Sequence, residues 1–503
     1  LPGEAKPYYL SYVLTRYRQW QIAGSLGGIF YSTVTPWQSS GGVQVMLGNY
    51  LHNSDIQYMG QVAPVQLPAE LDGYNIRRGF WETSDLMYRF SLQVMARKIA
   101  HLKSNPLPPA EAAVPDMQQL PAVTKMVERP RPFEVDLAAL EGMVKELSAL
   151  FKDYKELFNS NVMLVAVEQD NFRLTSENVR LKFPLGLVGL TVSASVRTTD
   201  GSTVSDVLAI SSLENPADLP SLEELKKKVT DFADNLMELK ETPMIEEYYT
   251  GPVLFEEGAA SRLFTDNLLS PGRLLALRTM APARGMLDEQ LGRKIMDSRL
   301  TVKNYTMLVE YDGTPLFGHY EIDGDGVVPA AELTLVENGV FKRMLNGRVP
   351  TLKAPESTGS ARFMISPDNP VAIVSPGTIH VQTSKSVAPE KLKKALLKAA
   401  KEADLEYAYI VRRIGGEASA VYKVNVKDGK ETRVRVNNLS APELTKLMDL
   451  KGISSDERVM NYFPNGVPAS LIYPSAIIVG DVEINRTTPK IEEVPVLKHP
   501  LQR

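Results

Sequence analysis

The side chains that most often carry chemistry are scarce in this sequence. Cysteine does not occur, and the five histidines stand far apart, at positions 52, 101, 319, 380 and 499. A chain without Cys has no thiolate nucleophile, no disulfide and no Cys-ligated zinc or iron–sulfur centre. The His-Glu-x-x-His spacing, which places two imidazoles on one helix face, is also missing. The residue types therefore offer no ready-made metal site and no thiol chemistry.

Three polar motifs come closest to known sites, and each has a plainer interpretation. Asp323-Gly-Asp-Gly326 lacks the Lys of a phosphate-binding loop, and Val327 stands where a calcium loop needs an oxygen ligand. We interpret this stretch as a turn between strands, with a metal site as the alternative. The segment Ser357-Thr-Gly-Ser360 is not the Gly-x-Ser-x-Gly turn of a serine hydrolase. His319, alone on a predicted strand, is either a structural residue or a ligand or base.

Composition excludes several classes of protein. The 503 residues carry a formal charge of −4, so the basic excess of a dedicated nucleic-acid binder is missing. No apolar run in the sequence reaches the roughly 18 to 20 residues that a membrane-spanning helix needs. Apolar residues make up 44% and charged residues 23%, an ordinary globular profile for about two to four domains. Because the sequence begins at Leu1 without Met, we expect that processing or truncation removed an upstream segment.

The elements that must position any site alternate between strands and helices in the first half. Period-two polarity broken by glycines predicts a meander of short strands over 19–50, and a helix capped by Thr83 or Ser84 runs to Lys103. Seven prolines over 105–132 predict an extended surface excursion. Further predicted elements are a helix after Asp136, strands over 162–169, 172–181 and 187–197, a turn at Asp200-Gly201 and a helix with a capping box at Ser221-Leu-Glu-Glu224.

The second half is richer in strands. Its strongest hairpin signal is Asn338-Gly339, and one Lys-studded helix over 389–403 interrupts further strands. The sequence therefore predicts an α+β fold in two domains. The N-terminal α/β domain, with a mainly antiparallel sheet, spans 1–243, and the C-terminal β-rich, barrel-like domain spans 244–503.

One segment rises above these generic signals. It is similar to the start of the C-terminal domain in the TldD/PmbA family, known as "modulator of gyrase" or predicted zinc peptidases: Gly251-Pro-Val-Leu-Phe-Glu-Glu-Gly-Ala-Ala-Ser-Arg-Leu-Phe264. Further stretches agree with the family in order and spacing, at 316–329 with 333–340, at 357–362 and at 466–470. Upstream, 7–12 and 78–85 resemble the longer, exported branch of the family. The resemblance runs from end to end.

The resemblance implies that active members of the family bind a catalytic zinc ion and that this chain lacks the histidines for it. Active members carry His-Glu-x-x-x-His, in which two imidazoles hold zinc and the Glu activates water, with a third ligand, often Cys, from the β-rich domain. Those positions here are Glu256, Glu257 and Ser261, so only the carboxylate at the base position is kept. Zinc prefers imidazole and thiolate, so these positions would hold it poorly. The chain is thus similar to the metal-free PmbA (TldE) type, for which we expect no cofactor here and zinc in a catalytic partner.

That type pairs with a TldD-like paralogue carrying His-Glu-x-x-x-His, and the β-rich domains enclose a chamber for unfolded peptides. The leading hypothesis is therefore a non-catalytic subunit that forms part of the chamber wall, as a heterodimer or with a second copy of itself. Arg262 and His319 are its candidate substrate contacts. One alternative is a self-sufficient hydrolase in which Glu256, Glu257 and His319 converge. Another is a homo-oligomeric binding or structural protein that has lost the chemistry, and in each case a periplasmic or secreted location is favoured over the cytoplasm.

Overall fold

The computed structural model describes residues 6–56, 58, 62–68, 71–213, 215–279, 286–365, 371–415, 418–436 and 439–486. Within these ranges, no helix combines the length and the apolar character that crossing a bilayer requires.

The N-terminal half is built on one large twisted sheet. Its strands are β1 (Pro7–Ser25), β2 (Gly28–Leu47), β3 (Ala63–Val65), β4 (Val123–Met126), β5 (Leu157–Thr175), β6 (Val179–Arg197) and β7 (Thr203–Leu213). They are ordered β3-β2-β1-β5-β6-β4, and β7 also pairs with β6. All pairs are antiparallel except β4–β6. The predicted, mainly antiparallel sheet is confirmed.

The three longer helices of this half lie on one face of the sheet. They are α1 (Gly73–Ser104), α3 (Leu137–Ala149) and α4 (Leu222–Glu241), and the short α2 (Pro109–Ala112) follows α1 in the chain. Even-numbered residues of β1 point toward them: Tyr12 packs in the cluster beneath α1, and Ile22 packs beneath α3 and α4. Because side chains alternate along a strand, Ser11 and Val13 point the other way, toward the C-terminal half.

The C-terminal half contains two six-stranded sheets. Its strands are β8 (Tyr249–Glu256), β9 (Leu300–Tyr305), β10 (Glu310–Tyr311), β11 (Thr314–Pro315), β12 (Glu332–Glu337), β13 (Val340–Phe341), β14 (Ala361–Phe363), β15 (Ala372–Val374), β16 (Thr378–Thr383), β17 (Tyr407–Arg413), β18 (Ala420–Asn425), β19 (Glu431–Val434), β20 (Leu450–Ile453), β21 (Glu457–Tyr462), β22 (Ala469–Pro474) and β23 (Ala476–Ile484). The sheet orders are β13-β12-β9-β16-β22-β21 and β19-β18-β17-β8-β23-β20. The β-rich prediction is confirmed, although most of the described strands form two packed sheets, with β10–β11 and β14–β15 as separate pairs, rather than a closed barrel.

The core of this half lies between the two sheets. Val302 and Ile379 from one sheet and Phe255 from the other are fully buried in a single cluster. Helix α5 (Glu257–Leu268) contributes Phe264 to the same cluster. Helix α6 (Pro389–Glu402) covers the opposite face of the sheet that contains β8. Helix α5 is thus held between layers, which fixes the direction of its N-terminal end.

Several local predictions differ from the structure, and one predicted strand, 172–181, runs across the break between β5 and β6. Helix α1 begins at Gly73, where Asp72 accepts a hydrogen bond from the Asn75 amide at 2.7 Å, and Ser84 lies inside the helix with its hydroxyl bonded to the Phe80 carbonyl. The predicted meander of short strands is the long β1–β2 hairpin, which turns at Leu26 and Gly27. The glycines at 41 and 42 lie within β2 because sheet pairing on both sides holds them extended.

The proline-rich stretch is not a detached excursion. It contains α2 and β4, and Asp116 and Met117 are buried. The carboxylate of Asp116 accepts a hydrogen bond from the Lys98 ammonium at 2.6 Å, and Gln118 donates its amide N–H to the Arg348 carbonyl at 2.8 Å. Prolines remove backbone donors but leave carbonyls and side chains able to bond, so the segment joins the two halves.

Candidate functional site

The predicted motif lies where β8 passes directly into α5. The strand is central in its sheet, parallel to β17 and antiparallel to β23, and its residues Val253 and Phe255 are fully buried. Glu256 is the residue before the first helical turn, and Glu257 has a left-handed φ of +50°. The Glu257 amide donates to the Ser475 carbonyl at 3.0 Å, which secures this tight entry into the helix. The junction is therefore rigid.

The carboxylate of Glu256 is occupied by an ion pair. Arg412 on β17 donates through Nε to Glu256 Oε2 at 3.1 Å and through Nη2 to Glu431 Oε2 at 2.9 Å. Lys393 in turn donates to Glu431 at 2.6 Å. Burial disfavours the charge of Arg412, but the two carboxylates outweigh it and hold its pKa above the ordinary value. Glu256 is thus one end of a four-residue charge chain rather than an open ligand.

The two other motif positions face a different environment. Ser261 is buried, and its hydroxyl donates to the Gly258 carbonyl at 2.8 Å, one turn earlier in the helix. Glu257 is exposed. Both lie beside Tyr473. Burial raises the pKa of Tyr473, and the charge of Glu257 raises it further. The carboxylate at the base position therefore reaches solvent beside a buried phenol.

The two predicted substrate contacts are not brought together. Arg262 pairs with Asp266 one helical turn away at 3.0 Å, and about half of its side chain is exposed. His319 is exposed in the segment between β11 and β12, so it does not lie on a strand as predicted. Neither side chain contacts Glu256 within the described ranges. Their role as substrate contacts stays a prediction.

Sequence reasoning missed a polar cluster on the outer face of the other sheet. His380 Nε2 lies 3.0 Å from both carboxylate oxygens of Glu457, and the Tyr311 hydroxyl donates to the same carboxylate. Burial opposes ionisation of Glu457, but these two partners outweigh it and lower the pKa of Glu457. The residues are far apart in the chain, and only the position of His380 inside a predicted strand hinted at a buried partner.

Arg362, in one of the family-like stretches, is a buried cation with no carboxylate partner among the described residues. Its Nη1 donates to the Pro376 carbonyl at 2.7 Å, and the guanidinium lies 4.5 Å from the ring centre of Tyr320. Burial lowers the pKa of Arg362 to about 10. The buried hydroxyl of Tyr462 makes no hydrogen bond in the described part of the chain.

The turn interpretation of the Asp323 segment is confirmed. Oδ1 of Asp323 accepts from the amides of Asp325 and Val327 at 2.9 and 2.8 Å, and Oδ2 accepts from the Ala361 amide at 3.0 Å. Burial and the neighbouring Asp325 raise the pKa of Asp323 well above its usual range. Asp325 pairs with Arg173 of β5 at 2.8 Å, so the turn also ties the halves together.

The residues at the motif positions do not fit a zinc ion. One carboxylate is held by Arg412, and the Ser261 hydroxyl donates its proton to a backbone carbonyl. Zinc sites need several deprotonated ligands, usually imidazole or thiolate. Within the described ranges, no group of three His, Cys, Asp or Glu side chains is placed to hold a metal. We derive no metal chemistry from this end of α5.

Comparison with known proteins agrees with this architecture. Residues 249–486 match the family model described as PmbA/TldA metallopeptidase C-terminal domain. Fold and family model together define an α+β protein with a C-terminal domain of the PmbA/TldA metallopeptidase type. Residues 249–486 therefore form a C-terminal domain of the TldD/PmbA type, and the family assignment rests on this part of the chain.

Solved structures share the fold over nearly the whole chain. TldE from Thermococcus kodakarensis is 15% identical with a TM-score of 0.57, covering 95% of this chain and 96% of that one. A candidate modulator of DNA gyrase from Thermotoga maritima is 14% identical with a TM-score of 0.56, covering 95% and 96%. Another from Bacteroides thetaiotaomicron is 13% identical with a TM-score of 0.52, covering 94% and 95%. No curated protein sequence matches the chain.

Proposed function

We propose that this chain is a non-catalytic subunit of a TldD/PmbA-type metallopeptidase assembly, which degrades or processes unfolded peptides. Its β-rich half would form part of the chamber wall, and a paralogue carrying His-Glu-x-x-x-His would hold the zinc. The observation that carries the proposal is the structural use of the motif positions, with Glu256 paired to Arg412 and Ser261 bonded to Gly258. The fold shared with TldE from Thermococcus kodakarensis supports the same interpretation.

Exposed apolar side chains on α1 support an assembled state. Five of them are more than 40% exposed: Tyr74, Trp81, Leu86, Phe90 and Ile99. Exposed apolar side chains in this number on one helix are typical of a surface that another protein covers. We propose the catalytic paralogue as the partner, with a second copy of this chain as the alternative that native mass measurement distinguishes.

The test is reconstitution with purified components. After dialysis, we expect the full chain to retain far less than one equivalent of zinc and to leave a flexible peptide uncut. Adding a paralogue with the intact motif should give cleavage that a chelator abolishes, and the same paralogue with its motif Glu changed to Gln should give none. Stoichiometric zinc in this chain, or chelator-sensitive cleavage by it alone, would refute the proposal and favour the self-sufficient hydrolase.

A double variant examines the motif positions directly. Glu256→His with Ser261→His supplies two imidazoles around Glu257, but the third protein ligand of a catalytic zinc site is still missing. We expect weak zinc binding and no cleavage. Zinc binding as tight as in the paralogue would show that the third ligand already exists in this chain.

The location of the assembly is part of the proposal. The resemblance of 7–12 and 78–85 to the exported branch supports a periplasmic or secreted protein. Fractionation of cells that make the full-length product decides it, and recovery in the cytoplasm alone would contradict it.

A further inference from the structure

A cavity of about 490 Å³ lies between the two halves. One wall is the face of β1 and β2 that points away from the helices, and includes Ser11, Val13 and Gln44. The other wall comes from the C-terminal half, at 271–278, 346–349, 361–364 and 371–374. None of the motif residues at the start of α5 lines it. Its size is typical of sites for small organic ligands.

Each arginine in the cavity wall already has a carboxylate partner, and one of these carboxylates, Asp116, also pairs with Lys98 at 2.6 Å. Each carboxylate lies within 3.3 Å of its arginine: Arg173 pairs with Asp325, Arg348 with Glu177, and Arg278 with Asp116. An anionic ligand would find no cation without a partner among these arginines. An anion would therefore lose its hydration without gaining an ion pair, and a cation would have to compete with Arg173 and Arg278 for Asp325 and Asp116.

Most of the remaining wall is apolar. It includes Met46, Met117, Leu275, Phe363 and Ile373. Such a lining favours a ligand with an apolar group of modest size, because it removes that surface from water.

One polar side chain of the wall is left without a partner. Gln44 is only 7% exposed, and its carboxamide makes no hydrogen bond with any residue that the structure describes. Its neighbour across the strand pair, Ser11, already accepts a hydrogen bond from Arg173 Nε at 3.2 Å. A carboxamide offers two donors and an acceptor, which at the wall of this cavity are open to a bound ligand. The complement of a carboxamide is another amide, which also has both a donor and an acceptor.

We propose that this cavity binds a neutral ligand in which a small apolar group adjoins an amide, and that Gln44 hydrogen-bonds to that amide. The site is separate from the motif at α5 and exists within one subunit. Binding can therefore be measured on the full chain alone, whatever its partner does.

Three probes that share one apolar group and differ in charge test the proposal. They are N-acetyl-leucinamide, which is neutral, N-acetyl-leucine, which is an anion at neutral pH, and leucinamide, which is largely a cation. In calorimetric titration of the full chain, we expect the neutral probe to bind about tenfold more tightly than either charged one, because a charged group would be desolvated without a free partner. Equal affinities, or no binding of the neutral probe at millimolar concentration, would overturn the proposal.

Variants separate recognition from stability. Gln44→Leu keeps a similar volume and removes the amide, so binding should weaken about tenfold while the melting temperature stays equal or rises. Gln38→Leu is the matched control: it lies on the same face of β2, is exposed, and its side chain accepts a hydrogen bond from Tyr17 at 2.7 Å outside the cavity. It should leave binding unchanged. Val13→Phe fills the cavity without changing a polar group and should abolish binding.

The combined readout distinguishes a binding role from a structural one. A lower melting temperature in Gln44→Leu with unchanged binding would show that Gln44 only supports the fold, which overturns its assignment to a ligand. Unchanged binding in Val13→Phe would place the probe elsewhere on the protein and overturn the site.

Discussion

An aspartate at the turn between β6 and β7 should make the stability of the whole chain sensitive to acid. Asp200 accepts hydrogen bonds from the Thr198 hydroxyl at 2.7 Å and the Ser202 amide at 3.1 Å. Its other oxygen accepts from Arg435 in the C-terminal half, whose side chain is almost fully buried and also donates to the Thr242 carbonyl. The variant is Asp200→Asn, which keeps the shape and removes the charge.

The magnitude follows from the pKa. Burial alone would raise it, but the bonds from Thr198 and Ser202 and the charge of Arg435 lower the pKa of Asp200 to about 2, from an ordinary value of 3.8. This difference corresponds to at most about 2.4 kcal/mol. Solvent reaches the carboxylate, whose side chain is 28% exposed, so we expect about 1 kcal/mol.

The pH dependence has a definite sign. Because the pKa is lower in the folded protein than in the unfolded one, the contribution is complete above the ordinary value and is lost as pH falls toward about 2. Urea unfolding, followed by fluorescence and circular dichroism together, should show the variant less stable by about 1 kcal/mol at neutral pH. The difference in the free energy of unfolding between the two proteins should become smaller below pH ~4.

A matched control isolates the burial of the pair. Asp85→Asn removes a carboxylate whose ion pair with Arg89 is exposed, and should change the free energy of unfolding by less than about 0.5 kcal/mol at every pH. If Asp200→Asn and Asp85→Asn gave the same small effect, or if the gap at Asp200 did not narrow in acid, the assignment of this pair as a stabilising contact would be wrong.

Three further changes should alter stability in urea unfolding. Lys98→Met removes the ammonium that lies 2.6 Å from the buried Asp116 carboxylate and should lower the free energy of unfolding by about 3–5 kcal/mol. Arg78→Met, in an exposed ion pair, should lower it by less than about 0.5 kcal/mol. Similar losses in the two variants would contradict the role assigned to burial. Ser221→Ala removes the capping box of α4 and should cost about 1 kcal/mol, and an unchanged midpoint would contradict this. Gly326→Ala and Gly292→Ala each place a side chain on a backbone with positive φ, but only at Gly326 would the new Cβ meet valine methyls, at 2.8 and 2.9 Å. The loss of stability in Gly326→Ala should therefore exceed that in Gly292→Ala by about 1–3 kcal/mol. Equal losses of stability would contradict the predicted clash.

Local signals predicted the fold where one element could be read from its own residues. The capping box at Ser221, the cap at Asp136 and the turn at Asn338-Gly339 are all confirmed. Helix α1 shows the limit of this reasoning. Its apparent apolar stripe includes Leu86 and Phe90, which the structure leaves exposed, because the sheet covers the adjacent face of the helix. Periodicity identifies a helix but does not say which face the rest of the chain will cover.

The candidate site was harder to predict because its contacts span long stretches of chain. The positions of Glu256 and Ser261 follow from the motif, but the partner of Glu256 lies 156 residues later, on a strand that is parallel to β8. The pairing of His380 with Glu457 spans 77 residues and needs the order of three strands. No local pattern contains this information, since it arises only when the sheets assemble.

The charge chain that begins at Glu256 also limits the mutational paths open to this protein. A first step to His at position 256 leaves Arg412 with one carboxylate instead of two, and a first step at Ser261 introduces a ring where a buried hydroxyl had fitted. Each of these substitutions would lower the stability of the fold before a metal site exists to compensate, and a third metal ligand would still be missing. Neither first step is therefore neutral, and a lineage that placed two imidazoles at the start of α5 would have to pass through a less stable chain.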